Sequence, residues 1–362
     1  MDDWDYDDDE EDGISRRTAI LGGLAGAAAI GALGWAAFRP KPVERDVLYV
    51  NTWGGIWEAA ARRAYFDPFT AETGIRIRTV SPVSFAKLSA QLRTGIYEFD
   101  VTTLGLAELA RANAFGLVEP TASHLGDDGL WPGAVQHNSL QTHAYATLIS
   151  YPKDRFPGGG PQSWADFWDL QRFPGPRCLQ RYAARVLGVA LLADGVPPDQ
   201  LMPYDLDRAF ASLDRIKPAI RVWWAAGPQS LQILTAREVS MIGIWSNYAQ
   251  KASLQMAGGL AVQWNQALID KGCWVVAKDT PRAEAAWKLL RFIGSRPEGL
   301  AEFCKSDFVG PLNPQAFDHI DRDIARVMPT WPQNLAQGVM MDAGRLGDVD
   351  AMTRRFDEWV AV

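Results

Sequence analysis

The sequence predicts an α/β fold organised in two lobes, and three observations carry that expectation. The chain has 362 residues, more than one hydrophobic core usually supports, so two lobes or domains are expected. From Val47 onward, short apolar runs alternate with helix-forming stretches across short loops, the pattern of a doubly wound parallel sheet. Composition is globular, with 48% hydrophobic and 22% charged residues, and 15 tryptophans supply flat faces that suit cores and ligand walls alike.

The first element is the strand 47–51 of "RDVLYVNTWGG", which ends on Trp53, Gly54 and Gly55. A large aromatic before two glycines reads either as a strand end packed under a turn or as a wall over a backbone-lined pocket. "IWEAAARRAYFDPFTAETG" is rich in helix formers and closes at Gly74. "IRIRTVSP" alternates as a half-buried strand does. Ser84 caps a helix whose Phe85, Leu88 and Leu92 share one face. "YEFDVTTLG" and "LAELARANAFG" add a strand and a helix. Ligands of such sheets bind beyond the carboxyl ends of the strands, here residues 52–55, 81–83 and 103–105, which include Ser81 and Leu104.

"YATLISYPKDRF" reads as a crossing into the second lobe, and "SWADFWDLQ" as a capped helix with Trp164 and Trp168 packed. "CLQRYAARVLGVALLADG" gives a turn and a helix. Residues 212–249 read as helix, strand with Trp223 and Trp224, helix, strand, then Trp245. "AVQWNQALIDKGCWVVAKDTPRAEAAWKLLRFIG" gives two strands and a helix, and "DVDAMTRRFDEWVAV" a terminal amphipathic helix.

Residues 1–42 read as an acidic head and an export signal. Arg16 and Arg17 precede a small-residue apolar stretch long enough to span a bilayer, which resembles a twin-arginine signal, with a membrane anchor as the alternative. The head also distorts the net charge of −7, because the remaining chain holds 34 acidic against 32 basic residues. No basic face for nucleic acid is implied. The cysteines 178, 273 and 304 and the four histidines show no metal spacing, so no metal or cofactor is expected, and buried free thiols are expected over a disulfide. No Gly-x-Ser-x-Gly elbow, phosphate loop or His-Glu-x-x-His motif occurs, which points away from an enzyme.

Several stretches in order, among them "NTWGG", "FDPFTAETGIRIR", "QILTAREVSMIGIWSN", "AEAAWKLLRFI" and "GPLNPQA", resemble extracellular solute-binding proteins of ABC transporters, in the polyamine-type branch. The resemblance covers roughly residues 46–362 and implies a type II periplasmic-binding fold. Residues 46–148 with 272–318 would form lobe 1 and residues 149–271 with 319–362 lobe 2, with a ligand cleft between them. It further implies a monomer that delivers a small solute to an inner-membrane permease. The solute would be polyamine-like, or an amino-acid, opine or phosphonate-like compound; an enzyme or sensor on the same scaffold is the alternative.

The resemblance also implies ligand contacts. Trp53 matches the aromatic wall of the first loop, with Gly54 and Gly55 opening a helix whose amides suit an anion, while the ring suits a cation. Trp245 and Asn247 match the second-lobe binding loop, and Tyr182 a contact beside it, with Arg181 as a neighbouring cation. Polyamine binders carry a Trp-x-Asp before the strand that re-enters lobe 1. Here Gly272 stands at the aspartate's place and Asp270 two residues earlier, either reaching the cleft or solvated on a loop. The amine-binding carboxylate is thus missing or displaced, which disfavours spermidine or putrescine.

Overall fold

The structure, a computed structural model, describes residues 46–126 and 129–361; the acidic head and the export signal lie outside the described residues. Among the described residues no helix is long and apolar enough to cross a membrane.

Strand β1 (Val47–Asn51) leads into helix α1 (Gly55–Ala61), a π-helical turn (Arg62–Phe66) and helix α2 (Asp67–Thr73). Pro68 has no N–H to close the ladder there, which fits the widened turn just before it. The run stops at Gly74 in a left-handed conformation, as its sequence expects. Strand β2 (Arg76–Val80), helix α3 (Phe85–Thr94), strand β3 (Val101–Leu104) and helix α4 (Leu106–Ala114) complete the first winding. Ser84 caps α3 by accepting a hydrogen bond from the Lys87 amide.

After the short β4 (Val135–Gln136), the long β5 (Ser139–Pro152) runs from the first half of the sheet to the second. The second half contains α5 (Trp164–Trp168), β6 (Arg177–Gln180), α6 (Ala183–Ala193), α7 (Leu206–Ile216), β7 (Ile220–Trp224), α8 (Gly227–Thr235), β8 (Met241–Trp245) and α9 (Ser246–Gln255). The long β9 (Leu260–Val276) returns to helices α10 (Ala283–Gly294) and α11 (Pro297–Asp307). β10 (Gly310–Pro311), α12 (Arg322–Ala325), α13 (Pro332–Leu335), β11 (Val339–Met340) and α14 (Val349–Ala361) close the chain.

The main path of the sheet runs β2-β1-β3-β9-β5-β8-β6-β7. Strand pairing is parallel among β1, β2 and β3 and again among β6, β7 and β8, but β5 and β9 run antiparallel to their neighbours on this path. The sheet is therefore mixed, where the alternation of elements suggested parallel pairing throughout. Two further elements differ from the sequence reading. Residues 177–180 form a strand where a turn was expected, and residues 260–276 form one strand where two were expected. The strand is interrupted by a bulge at Gln266. Its left-handed backbone is fixed by its carbonyl and Oε1, which accept hydrogen bonds from the indole and the amide of Trp164.

One core cluster lies under the first half around Trp57, Phe66, Trp274 and Phe303. Another lies against α6, α7 and α14, and a third fills the second half around Trp224 and Ile244. The three cysteines are buried and unpaired.

Candidate ligand cleft

The carboxyl ends of the six parallel strands converge on one cavity of about 310 Å³. From the first half come Trp53 after β1, Pro82 and Val83 after β2, and residues 103–105 at the end of β3. From the second half come Tyr182 and Arg185 after β6, residues 225–228 after β7, and Trp245, Asn247 and Tyr248 after β8. His143, Tyr145 and Gly272 of the two long strands and Asp307 of α11 close it.

Backbone geometry explains how "VNTWGG" presents Trp53. Gly54 and Gly55 follow it at φ 72° and 54°, a reversal that side-chain-bearing residues rarely adopt. The ring is left 38% exposed, unlike the core tryptophans. The turn is pinned from beneath by Asn51, whose amide donates to the carbonyls of Val80 (2.8 Å) and Pro82 (2.9 Å). Asn51 Oδ1 also accepts from Thr102 (3.1 Å), so one side chain ties the ends of β1, β2 and β3 together. Trp57, one helical turn on, lines the cavity while packing on Trp274 and Phe303.

Ten residues were expected at the site. Trp53, Leu104, Tyr182, Trp245 and Asn247 line the cavity, and Gly54, Gly55, Ser81, Arg181 and Asp270 do not. Ser81 lies behind Gly54, against which a Cβ at residue 54 would press at 3.4 Å. Arg181 turns away to within 3.8 Å of Asp357 and is half-exposed. The cation of the cleft is Arg185, one turn into α6. Asp270 is neither a ligand-facing carboxylate nor a solvated one. It is 1% exposed and accepts from the amides of Leu106 (2.9 Å) and Lys271 (2.7 Å), from Tyr145 (3.0 Å) and from Arg185 (2.5 Å).

Two ion pairs join the halves across the cleft. Arg185 grips Glu108 with two hydrogen bonds of 2.9 and 3.0 Å, besides those to Asp270 and Tyr145. Burial pushes the Glu108 carboxyl up, but the Arg185 charge and hydrogen bonds more than offset it and hold it below the usual range. Gly105 is required here, because a Cβ would lie 2.2 Å from the guanidinium. In the second pair Lys251 bonds Asp307, which also accepts from Asn247 at 3.2 Å. Burial raises the Asp307 carboxyl above its ordinary value, with Lys251 opposing.

Several buried polar atoms of the lining have no protein partner: Arg185 Nε, Trp245 Nε1, Thr103 Oγ1 and Asn247 Oδ1. Aromatic rings group around Trp245, with Tyr182 at 5.3 Å and Tyr145 at 6.1 Å. Among the described residues no cluster of ligands could hold a metal ion.

Sequence reasoning missed Arg185, Glu108, Asp307, His143, Tyr145 and Tyr248. One signal was available for Arg185: it is the sole charge in the apolar helix "AARVLGVALLA", where a cation requires a buried partner.

Comparison with known proteins places this geometry in context. The sequence profile of the bacterial extracellular solute-binding proteins matches residues 64–332. A gamma-aminobutyric acid-binding protein of Pseudomonas aeruginosa is 33% identical over 340 residues, 91% of this chain and 95% of the relative. Among solved structures, a GABA receptor superposes with a TM-score of 0.77 at 30% identity, covering 86% of this chain and 97% of that one. The PBP MotA from Agrobacterium tumefaciens B6, in complex with glucopine, superposes with a TM-score of 0.79 at 26% identity, covering 87% and 99%.

Proposed function

The chain belongs to the bacterial extracellular solute-binding proteins, and from that premise we propose that its cleft takes a small amino-acid-like zwitterion such as 4-aminobutanoate. As a member it is the substrate-binding component of an ABC transporter.

One observation carries the choice of ligand. The lining holds unpaired donors (Arg185 Nε, Trp245 Nε1) and an unpaired acceptor (Asn247 Oδ1) in one cavity. A buried polar atom without a partner costs about 1–3 kcal/mol, so a guest with an anionic and a cationic end relieves both kinds at once. The rings of Trp53, Tyr182, Trp245 and Tyr248 suit the ammonium end. A volume of about 310 Å³ is at the low end for small-molecule sites and favours a compact solute over a sugar-bearing opine.

In this reading residues 46–148 with 272–318 and residues 149–271 with 319–362 act as two lobes that close on the solute. Closure follows from contacts that only the closed state makes. The protein works as a non-enzymatic monomer, exported by its twin-arginine segment to the periplasm, and the closed form docks on a permease.

A thermal-shift screen against ω-amino acids, opines, polyamines and phosphonates tests the reading. An ω-amino acid at 100 times its dissociation constant is expected to add about 2.7 kcal/mol of stability. A shift with polyamines or phosphonates alone contradicts it.

A further inference from the structure

His143 stands on β5, 4% exposed, and lines the cavity beside Gly272, its partner on β9. The two are matched in shape: a Cβ on residue 272 would lie 2.2 Å from Nε2 and Cε1, so only glycine leaves the ring its place. The other ring nitrogen, Nδ1, lies 2.9 Å from Thr142 Oγ1. That hydroxyl already accepts from the Trp274 indole at 3.2 Å. Among the described residues the hydroxyl hydrogen has one acceptor, Nδ1. A hydroxyl that accepts from Trp274 and donates to Nδ1 leaves the imidazole proton on Nε2.

Nε2 has no hydrogen-bond partner among the described residues. His143 and Tyr145 are two residues apart on one strand and so face the same side of the sheet, the side on which Arg185 meets Tyr145. A neutral N–H at this point repels an ammonium and attracts an oxygen, without adding another buried charge. We propose that His143 contacts the bound solute and reads its acid end, donating from Nε2 to a carboxylate oxygen, with Thr142 as the positioning residue that fixes the tautomer. This deepens the zwitterion reading above and rests on it. Burial holds the imidazole pKa down at about 3, so the ring stays neutral wherever the protein works.

Two measurements test the proposal. In ¹⁵N-detected imidazole spectra of the protein, His143 is expected to show a protonated Nε2 whose signal moves when 4-aminobutanoate is added. A protonated Nδ1, or a signal indifferent to the ligand, overturns it, and this readout needs no variant. In calorimetric titrations His143→Phe is expected to lose about tenfold or more in affinity for 4-aminobutanoate, since a hydrogen bond to a charged group is worth about 1.5–3 kcal/mol. Affinity for n-butylamine should not change, His143→Gln should recover part of the loss, and Thr142→Val should lose less than His143→Phe. If wild type binds 4-aminobutanoate and a folded His143→Phe binds it equally well, the role of His143 alone fails. If wild type binds no carboxylate-bearing solute, the zwitterion reading fails and this proposal falls with it.

Discussion

Arg185 and Lys251 both reach from the second half of the sheet to carboxylates of the first, yet the two ion pairs are built differently. Arg185 meets two carboxylates and a phenol, and its partner Asp270 receives four donors. Lys251 meets one carboxylate, and the neighbouring Asn247 keeps an unpaired Oδ1. The difference also appears in proton affinity, with Glu108 held down by Arg185 and Asp307 pushed up by burial. The first pair is the more heavily partnered, with Arg185 Nε its open donor, whereas the second has a single carboxylate and an open Asn247 Oδ1 beside it. The larger share of stability is therefore assigned to the first pair.

The strongest way to break this comparison is Arg185→Met. It strands the buried Asp270 carboxylate and removes the partner of the partly exposed Glu108, and an expected loss of about 3–5 kcal/mol follows in urea unfolding. A loss below that of Asp307→Asn would reverse the assignment. Trp53→Ala removes a partly exposed wall, so affinity is expected to fall about tenfold while the melting temperature holds. Unchanged affinity with lost stability would make Trp53 a core residue. Asp307→Asn keeps the shape and an acceptor oxygen but leaves the Lys251 ammonium without its carboxylate, so a smaller loss of about 1–3 kcal/mol is expected from the same unfolding curves.

Acid titration sharpens the contrast with the smallest effects. Glu108, lowered from 4.5, contributes stability that is present above pH 4.5 and is lost as pH falls through its folded value. Asp307 has the opposite sign. Raised from 3.8, it favours the folded state most below pH 3.8, and that contribution is lost as pH rises through its folded value. Carboxyl ¹³C shifts should therefore titrate above the ordinary range for Asp307 and below it for Glu108, and a reversed order contradicts the account.

The strand ends of the first half were legible because local signals fix them. Alternation, the Ser84 cap and the Gly74 stop place β1 to α4, and with them Trp53 and Leu104 at the cavity. The pairing of the charged residues was not legible, because the partners are distant in sequence. Arg185 and Glu108 are 77 residues apart, and Asn247 and Asp307 are 60. Neither separation leaves a local trace. Arg181 was expected at the site because it adjoins Tyr182, but the turn into α6 sends Arg181 and Arg185 to different sides. Asp270 was weighed as cleft-facing or as a solvated loop residue, with two strands expected where there is one. Once β9 is continuous, Asp270 faces Tyr145 across the sheet and is buried.

The most direct test of the central claim is a calorimetric comparison of 4-aminobutanoate with butanoate, n-butylamine and putrescine on the protein. The account predicts saturable binding of the zwitterion and at least about tenfold weaker binding of each compound that lacks one charged end or carries two amines. Binding of n-butylamine or putrescine as tight as that of 4-aminobutanoate would contradict it.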